Sequence, residues 1–169
     1  MRGVVSVDKI LVVYGRDNGW TGQVGLAVGE QLSRTGVQVH VRPCSRAPEP
    51  SDYRAVVVGS AAHGGRWERN VLDYVDQHAS VLADRATWLY QVADARQPAR
   101  VHESTDRVLS RVAAEEPVTF DAQLLEPEVD SRVRWLFRVH RRVDELDEWS
   151  RARLWGLLIA NSLPELAHH

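Results

Sequence analysis

The first two-thirds of the chain alternates short apolar runs with stretches of helical periodicity. Three unbroken apolar runs lie at residues 10–14, 55–58 and 86–90. Runs of this length without polar alternation predict strands that are buried on both faces, and Gly15 and Gly59 end the first two. Residues 37–41 instead alternate with period two, which predicts another strand.

Two helical patterns lie between these strands. The first has apolar residues at helical spacing over 24–32, with Thr21 at the position of an N-cap and Gly36 at the end. The second covers residues 67–75, and we expect its Trp67 to belong to the core. Alternating strands and helices with right-handed crossovers predict an α/β fold, in which a doubly wound, parallel, five-stranded sheet has helices on both faces.

The last third of the chain is less regular, and residues 97–117 are mostly polar. Three further segments carry secondary-structure patterns: a short strand at 118–120 and helices at 128–142 and 148–163. We therefore predict a single domain over residues 1–167, with a helical insertion at about 97–145.

Composition and charge exclude several classes of protein. The formal net charge of −2 gives no basis for nucleic-acid binding, because nucleic-acid-binding domains are normally basic. Cys44 is the only cysteine, which excludes an internal disulfide and a multi-cysteine metal site. No carboxylate or cysteine stands at ligand spacing from a histidine, so no metal is predicted. No apolar run reaches the length of a membrane span and no signal pattern is present, so we expect a cytoplasmic protein.

In an open parallel sheet, ligands bind beyond the carboxyl ends of the strands, at the point where the strand order reverses. The first segment in such a position, residues 15–21, lies between a strand and a helix N-terminus, which favours an anion. Here Gly19 allows close backbone approach, while Asn18 and Thr21 can donate hydrogen bonds. Arg16 adds positive charge, whereas Asp17 repels an anion unless it points to solvent. An ordinary strand-to-helix turn fits the same residues.

Two further segments follow predicted strands at this edge. In the second segment the candidate ligand-contacting residues are Ser60, Ala61, Ala62, His63 and Gly64. Glycine lets the backbone approach a planar ligand, and the His63 ring can stack on one; the alternative is an exposed histidine without a role. In the third segment the candidates are Gln91, Val92, Ala93 and Asp94.

The first two segments carry motifs that resemble those of the flavodoxin family. The motifs are Tyr14-Gly15-Arg16-Asp17-Asn18-Gly19-Trp20-Thr21 and Gly59-Ser60-Ala61-Ala62-His63-Gly64-Gly65-Arg66-Trp67. The closer likeness is to the branch that contains the quinone-dependent protoporphyrinogen dehydrogenases, because residues 146–149 are similar to its acidic-aromatic stretch before the last helix. The resemblance implies that the first segment wraps the phosphate of flavin mononucleotide (FMN) and that the other two flank its isoalloxazine ring.

Several residues depart from the family pattern. Arg16 replaces a hydroxyl residue, Trp20 replaces a small polar residue, and His63 replaces a ring-stacking tyrosine, while the third segment has no glycine. Trp20 must therefore point away from the phosphate or cover the flavin. Two hypotheses follow: an FMN-binding redox protein, which transfers electrons or acts as a quinone- or porphyrinogen-linked oxidoreductase, and a flavin-free protein of the same fold that binds a small molecule, catalyses a non-redox reaction or serves as an interaction module.

Residues 129–142 form a basic, amphipathic segment. Such a helix can contact an anionic membrane surface or a partner, or pack its apolar side on the sheet and leave its arginines in solvent. The partners that the redox hypothesis implies are a small-molecule or quinone substrate, or a redox partner protein. A homodimer is a further expectation.

Overall fold

The computed structural model describes residues 8–16, 19–94, 96–97, 100–113, 115–125 and 147–163. The strands are β1 (Lys9–Tyr14), β2 (Gln38–Pro43), β3 (Ala55–His63), β4 (Arg66–Trp67), β5 (Ala86–Ala93) and β6 (Val118–Asp121). The helices are α1 (Trp20–Ser33), α2 (Arg69–Gln77), α3 (Ala79–Ala83), α4 (Glu103–Leu109) and α5 (Glu148–Ser162). Two short 3₁₀ turns, Cys44–Arg46 and Pro50–Asp52, connect β2 to β3.

Within these described residues, five strands form a parallel sheet in the order β2-β1-β3-β5-β6, and β4 pairs antiparallel with β3. Strand β1 lies between β2 and β3, so that Leu11 pairs with His40 on one side and with Val56 on the other. The strand order reverses at this point, as it does in flavodoxin-like doubly wound sheets. The predicted fold class is confirmed, and the sheet gains the short strand β4, which was not predicted.

Helices cover both faces of the sheet, and the core is divided accordingly. On one face, α1 and α5 contribute the buried residues Val24, Val28, Leu32, Ala152 and Ile159. On the other face, α2, α3 and α4 contribute Val71, Tyr74, Val75, Leu82 and Leu109. Neighbouring strand residues such as Val12 and Val13 enter opposite clusters, because side chains alternate along a strand. The apolar runs at 10–14 and 55–58 therefore lie in strands that are buried on both faces, whereas in the run at 86–90 Ala86, Thr87 and Trp88 are half-buried.

Strand β3 is longer than the sequence predicts. It continues through Gly59 to His63, so the prediction that Gly59 ends this strand is wrong. A Cβ atom on Gly59 would lie 2.0 Å from Cζ of Tyr90. Glycine is required there because the ring of Tyr90 covers its backbone, and the residue serves close packing rather than termination.

Helix α1 also begins earlier than predicted. Its N-cap is Gly19, so the prediction that Thr21 is the N-cap is wrong. Thr21 is the second residue of the helix and is buried against the sheet. The end of the helix agrees with the sequence, since Gly36 follows it with a φ of 89°, a left-handed conformation that favours glycine.

The last third of the chain extends the same architecture. The predicted strand at 118–120 is β6, and the predicted helix at 148–163 is α5. The range 97–145, which the sequence suggests is an insertion, includes α4 and β6, and both belong to the layers of the fold. The helix predicted at 128–142 and the basic segment 129–142 lie outside the described residues.

Candidate functional site

The carboxyl ends of β1, β3 and β5 meet at one edge of the sheet. Tyr14 pairs with Gly59, which in turn pairs with Tyr90. One residue further along, Ser60 pairs with Gln91. The three segments that the sequence analysis singled out therefore lie side by side where the strand order reverses, which is the usual ligand position in this class of sheet.

The N-terminus of α1 lies at this edge, and among the described residues no side chain caps it. Gly19 makes no side-chain capping bond, and the first turn of the helix holds no acidic residue. A Cβ atom on Gly19 would have no other atom within 4 Å among the described residues. The first N–H groups of this helix and the positive end of its dipole favour an anion there. Asp17 and Asn18, two of the predicted phosphate contacts, lie outside the described residues.

Thr21 is positioned by a residue of the neighbouring sheet. Its carbonyl oxygen accepts a hydrogen bond from the hydroxyl of Tyr90 at 2.6 Å. Tyr90 is completely buried, and this burial raises the pKa of its hydroxyl well above the usual range. The hydroxyl therefore stays protonated and can keep donating to the first turn of α1.

Trp20 turns toward α5. Its ring meets that of Trp149 edge to face, with 6.2 Å between the ring centroids and 66° between the planes. Both rings pack against the core cluster beneath α1 and α5. This contact gives a physical account of the large residue in the first motif, because an indole that packs on Trp149 joins two helices.

The side chain of Glu68 joins the first two segments, although Glu68 is not among the residues predicted from the sequence. Its Oε1 atom lies 3.2 Å from Nε of Arg16, and its Oε2 atom accepts a hydrogen bond from the N–H of Ala61 at 3.3 Å. A Cβ atom on Gly15 would lie only 1.9 Å from Oε2, so the carboxylate is pressed against the Gly15 backbone. The amide of Asn70 donates to the Gly15 carbonyl at 3.1 Å and fixes the same turn from α2.

The second segment is a β-hairpin rather than a loop. Gly64 and Gly65 have φ values of 57° and 77° between the paired residues His63 and Arg66, as a two-residue type I′ turn requires. The N–H of Gly64 donates to Oε1 of Gln97 at 2.7 Å. His63 and Gly64 are exposed at the tip. The hairpin is therefore held in place, and it exposes the imidazole of His63 to solvent.

A buried chain of hydrogen bonds connects this hairpin to the rest of the sheet. The indole N–H of Trp67 donates to Oε1 of Gln91 at 2.9 Å, and Nε2 of Gln91 donates to the hydroxyl of Thr119 at 2.9 Å. The backbone N–H of Trp67 donates to the hydroxyl of Thr105 at 3.2 Å. Both the oxygen and the nitrogen of the Gln91 amide thus form hydrogen bonds, and this buried side chain supports the site from within the core. Trp67 belongs to the core, as the sequence predicts.

Small side chains lie at the carboxyl ends of β3 and β5. Ala61 and Ala93 are half-buried at the ends of β3 and β5, while Ala62 and Val92 are buried beneath them. Ser60 is fully buried, and its hydroxyl accepts from the N–H of Glu68 at 3.0 Å while donating to the Ala61 carbonyl. Ser60 therefore shapes the backbone and offers no free hydroxyl to a ligand.

Asp94 at the end of β5 forms an ion pair with Arg96. Nη2 of Arg96 lies 2.7 Å from Oδ2 of Asp94, and the backbone N–H of Arg96 donates to the same carboxyl group. The side-chain hydrogen bond from Arg96, followed by this backbone bond, lowers the pKa of Asp94 from 3.8 to about 2. The third segment thus carries a permanent carboxylate whose charge is balanced by a neighbouring guanidinium.

The described residues offer little support for other kinds of site. Nowhere among them do His, Cys, Asp or Glu side chains form a group that can hold a metal ion. In the same residues, no helix is both long enough and apolar enough to cross a membrane.

Comparisons with known proteins agree with this architecture. The Flavodoxin domain family profile matches residues 11–133, and the chain belongs to that family. No curated protein matches the chain. A flavodoxin from the domain Archaea is similar to it with a TM-score of 0.66 at 14% identity, covering 92% of this chain and 99% of the other. Oxidised flavodoxin 1 from Bacillus cereus gives a TM-score of 0.63 at 13% identity, covering 91% and 98%.

A third similar structure belongs to a larger protein. Rubredoxin oxygen:oxidoreductase from Desulfovibrio gigas gives a TM-score of 0.65 at 13% identity, covering 95% of this chain and 37% of the other. At such low identity these likenesses show the fold alone. The narrower branch that the sequence resembles stays a prediction.

Proposed function

We propose that this member of the flavodoxin family binds FMN at the carboxyl edge of its sheet and takes part in electron transfer. The N-terminus of α1, which follows the first motif and is capped by no side chain of the described residues, is the observation that carries the proposal. When bound, FMN supplies the redox chemistry, while the protein supplies binding, orientation and electrostatics.

The residues present fit the phosphate group. Unpaired N–H groups at the start of α1 can donate to phosphate oxygens, and no carboxylate of the first helical turn opposes them. The side chain of Arg16 is 80% exposed and can turn toward an anion at the same position. The bond from Tyr90 to the Thr21 carbonyl keeps the first turn in place, so these donors are fixed before a ligand arrives.

The residues present also fit a planar ring beside the phosphate. Ala61 and Ala93 have small, half-buried side chains at the ends of their strands. The exposed imidazole of His63 at the hairpin tip is the aromatic side chain placed to stack on the outer face. Because the hairpin is fastened through Trp67 and Gln91, this face of the site moves little on binding.

Charge along the site is nearly balanced. Asp94 is paired with Arg96 at the ring end, and Glu68 is paired with Arg16 at the phosphate end. Two unpaired carboxylates there would disfavour added negative charge on a reduced ligand, and the two arginines reduce this effect.

We propose a small-molecule quinone or a redox partner protein as electron acceptor. Porphyrinogen-linked activity, cytoplasmic location, membrane contact through residues 129–142 and a homodimer are further parts of this proposal.

One observation favours the alternative of a flavin-free protein that binds another small molecule. The carboxylate of Glu68 lies against Gly15, at the start of the segment that would hold the phosphate. A carboxylate near a phosphate weakens binding unless a cation stands between them. Arg16 is the cation in contact with Glu68, and whether it can also serve a phosphate distinguishes the two functions.

The test is retention of FMN by the purified protein. The protein is mixed with FMN, passed through a gel-filtration column, and its visible absorbance spectrum is recorded. Flavin that elutes with the protein supports the proposal, and riboflavin, which lacks the phosphate, is the matched control ligand. A colourless protein fraction after FMN treatment contradicts the proposal and favours the alternative.

A further inference from the structure

Arg16 has two possible anionic partners, the carboxylate of Glu68 and a ligand phosphate. In this structure it contacts Glu68. Its Nε atom lies 3.2 Å from Oε1 of Glu68. Arg16 is also the cationic residue of the segment that leads to the N-terminus of α1. The contact with Glu68 uses the Nε atom of Arg16, so a bidentate pair with a phosphate through Nε and one Nη group would have to replace it.

Glu68 is firmly placed, whereas Arg16 is free to turn. The side chain of Glu68 is 12% exposed, and Oε2 accepts from the N–H of Ala61 while lying against Gly15. Its backbone N–H is held by the hydroxyl of Ser60 at 3.0 Å. The side chain of Arg16 is 80% exposed. The partner that moves is therefore Arg16, and the carboxylate stays where it is.

From this arrangement we propose that Glu68 is a specificity-determining residue, which competes with a ligand phosphate for Arg16 and so limits how strongly the site prefers a phosphorylated flavin. The inference rests on the proposed function, because FMN is the phosphorylated ligand. An ion pair with one exposed partner contributes little, so a phosphate dianion can take Arg16 from Glu68. Each binding event must then break the existing pair.

The substitution Glu68→Gln tests this competition. Glutamine has the same shape, and its oxygen can still accept from the N–H of Ala61, so the fold is retained. Without the carboxylate, Arg16 no longer has to leave an ion pair. We expect the affinity for FMN, relative to riboflavin, to rise by about two- to fivefold, the factor that corresponds to an exposed ion pair. Flavin fluorescence quenching measures both dissociation constants.

A double-mutant cycle separates competition from direct repulsion. Arg16→Gln alone lowers the ratio of FMN to riboflavin affinity, because the phosphate loses its cation. In the Arg16→Gln background, Glu68→Gln has nothing to release, and we expect it to change that ratio by less than about twofold. If Glu68→Gln raises FMN affinity equally with and without Arg16, Glu68 acts by repulsion alone and the inference is overturned.

Inorganic phosphate distinguishes a failure of this inference from a failure of the proposed function. The amide resonances of Gly19 and Trp20 are followed by NMR while phosphate is added to the wild-type protein and to the Glu68→Gln variant. Tighter phosphate binding by the variant supports the inference even when neither protein retains FMN. Equal phosphate binding by both proteins overturns it, whatever the flavin result.

Discussion

The hydroxyl group of Tyr90 donates a hydrogen bond to the carbonyl oxygen of Thr21, with 2.6 Å between the two oxygen atoms. Tyr90 lies in β5, between β3 and β6, and Thr21 lies in the first turn of α1. The bond therefore connects the core to the helix end that is proposed to bind phosphate. Its loss affects both stability and the position of the binding groups.

Replacing Tyr90 with phenylalanine removes this bond without leaving a cavity of ring size. We expect the free energy of unfolding to fall by about 1 kcal/mol, the usual contribution of one intramolecular hydrogen bond. FMN affinity falls as well, because the first turn of α1 is less firmly held. Urea unfolding measures the first effect, and flavin fluorescence quenching measures the second.

Tyr74 provides a matched control for Tyr90→Phe. Its ring is also buried, but its hydroxyl has no hydrogen-bond partner among the described residues. The substitution Tyr74→Phe removes a buried polar group that is not satisfied, so we expect stability to stay the same or to increase. Equal destabilisation by the two variants would contradict the assigned role of the bond from Tyr90 to Thr21.

Gly59→Ala tests why β3 contains a glycine. The new Cβ would lie 2.0 Å from Cζ of Tyr90, so the ring must move. We expect a loss of about 3 kcal/mol in the free energy of unfolding, the upper part of the range for overpacked cores. Thermal and urea unfolding provide the measurement.

The same clash predicts a dependence on the partner residue. In a Tyr90→Leu background the ring is absent, and Gly59→Ala should cost much less than it does in the wild-type protein. If the cost of Gly59→Ala is the same in both backgrounds, the glycine is required by the backbone of β3 and not by the ring.

The contact between Gly59 and the ring of Tyr90 shows where sequence patterns succeed and where they fail. The apolar runs predict the parallel strands correctly, because burial on both faces leaves an unbroken apolar pattern. A glycine after such a run can end the strand, as Gly15 does, or accommodate a neighbouring ring, as Gly59 does. The identity of that neighbour depends on strand pairing, which the local sequence does not contain.

The sequence likewise predicts part of the candidate site and misses the rest. The segments meet at the carboxyl edge, as the fold predicts, but residues 60–63 and 91–93 belong to β3 and β5 and not to loops after them. The hairpin was missed although Gly64-Gly65 is a two-residue turn signal between residues that can pair. Glu68 was missed because its partner Arg16 is distant in sequence, although a carboxylate directly before a helix is a visible feature. Side-chain contacts between separate segments are the information that sequence patterns lack.

The carboxyl group of Asp94 makes an acid-dependent contribution to stability. Its pKa is lowered from 3.8 to about 2 in the folded protein, chiefly by the side-chain hydrogen bond from Arg96. Because the folded pKa is the lower one, the stabilisation is present above about pH 4 and is lost as the pH falls toward 2. An NMR titration of the carboxyl carbon measures the value directly. In the Arg96→Gln variant the pKa should return toward 3.8; an unchanged value would show that Arg96 is not the cause.

A negative charge at the N-terminus of α1 tests the proposed phosphate position. A Cβ atom on Gly19 meets no other atom within 4 Å among the described residues, while the φ of 159° strains any residue with a side chain, and this strain is common to Asp and Asn. The two residues cap helices about equally well, and stability should differ by only a few tenths of a kcal/mol between Gly19→Asp and Gly19→Asn. Only aspartate adds a charge that repels phosphate and occupies the helix N–H groups as an anion.

We expect Gly19→Asp to weaken FMN binding by about tenfold or more relative to Gly19→Asn, with riboflavin binding much less affected. Fluorescence quenching by each variant measures the four dissociation constants, and equal FMN affinity in the two variants would place the phosphate somewhere other than the start of α1.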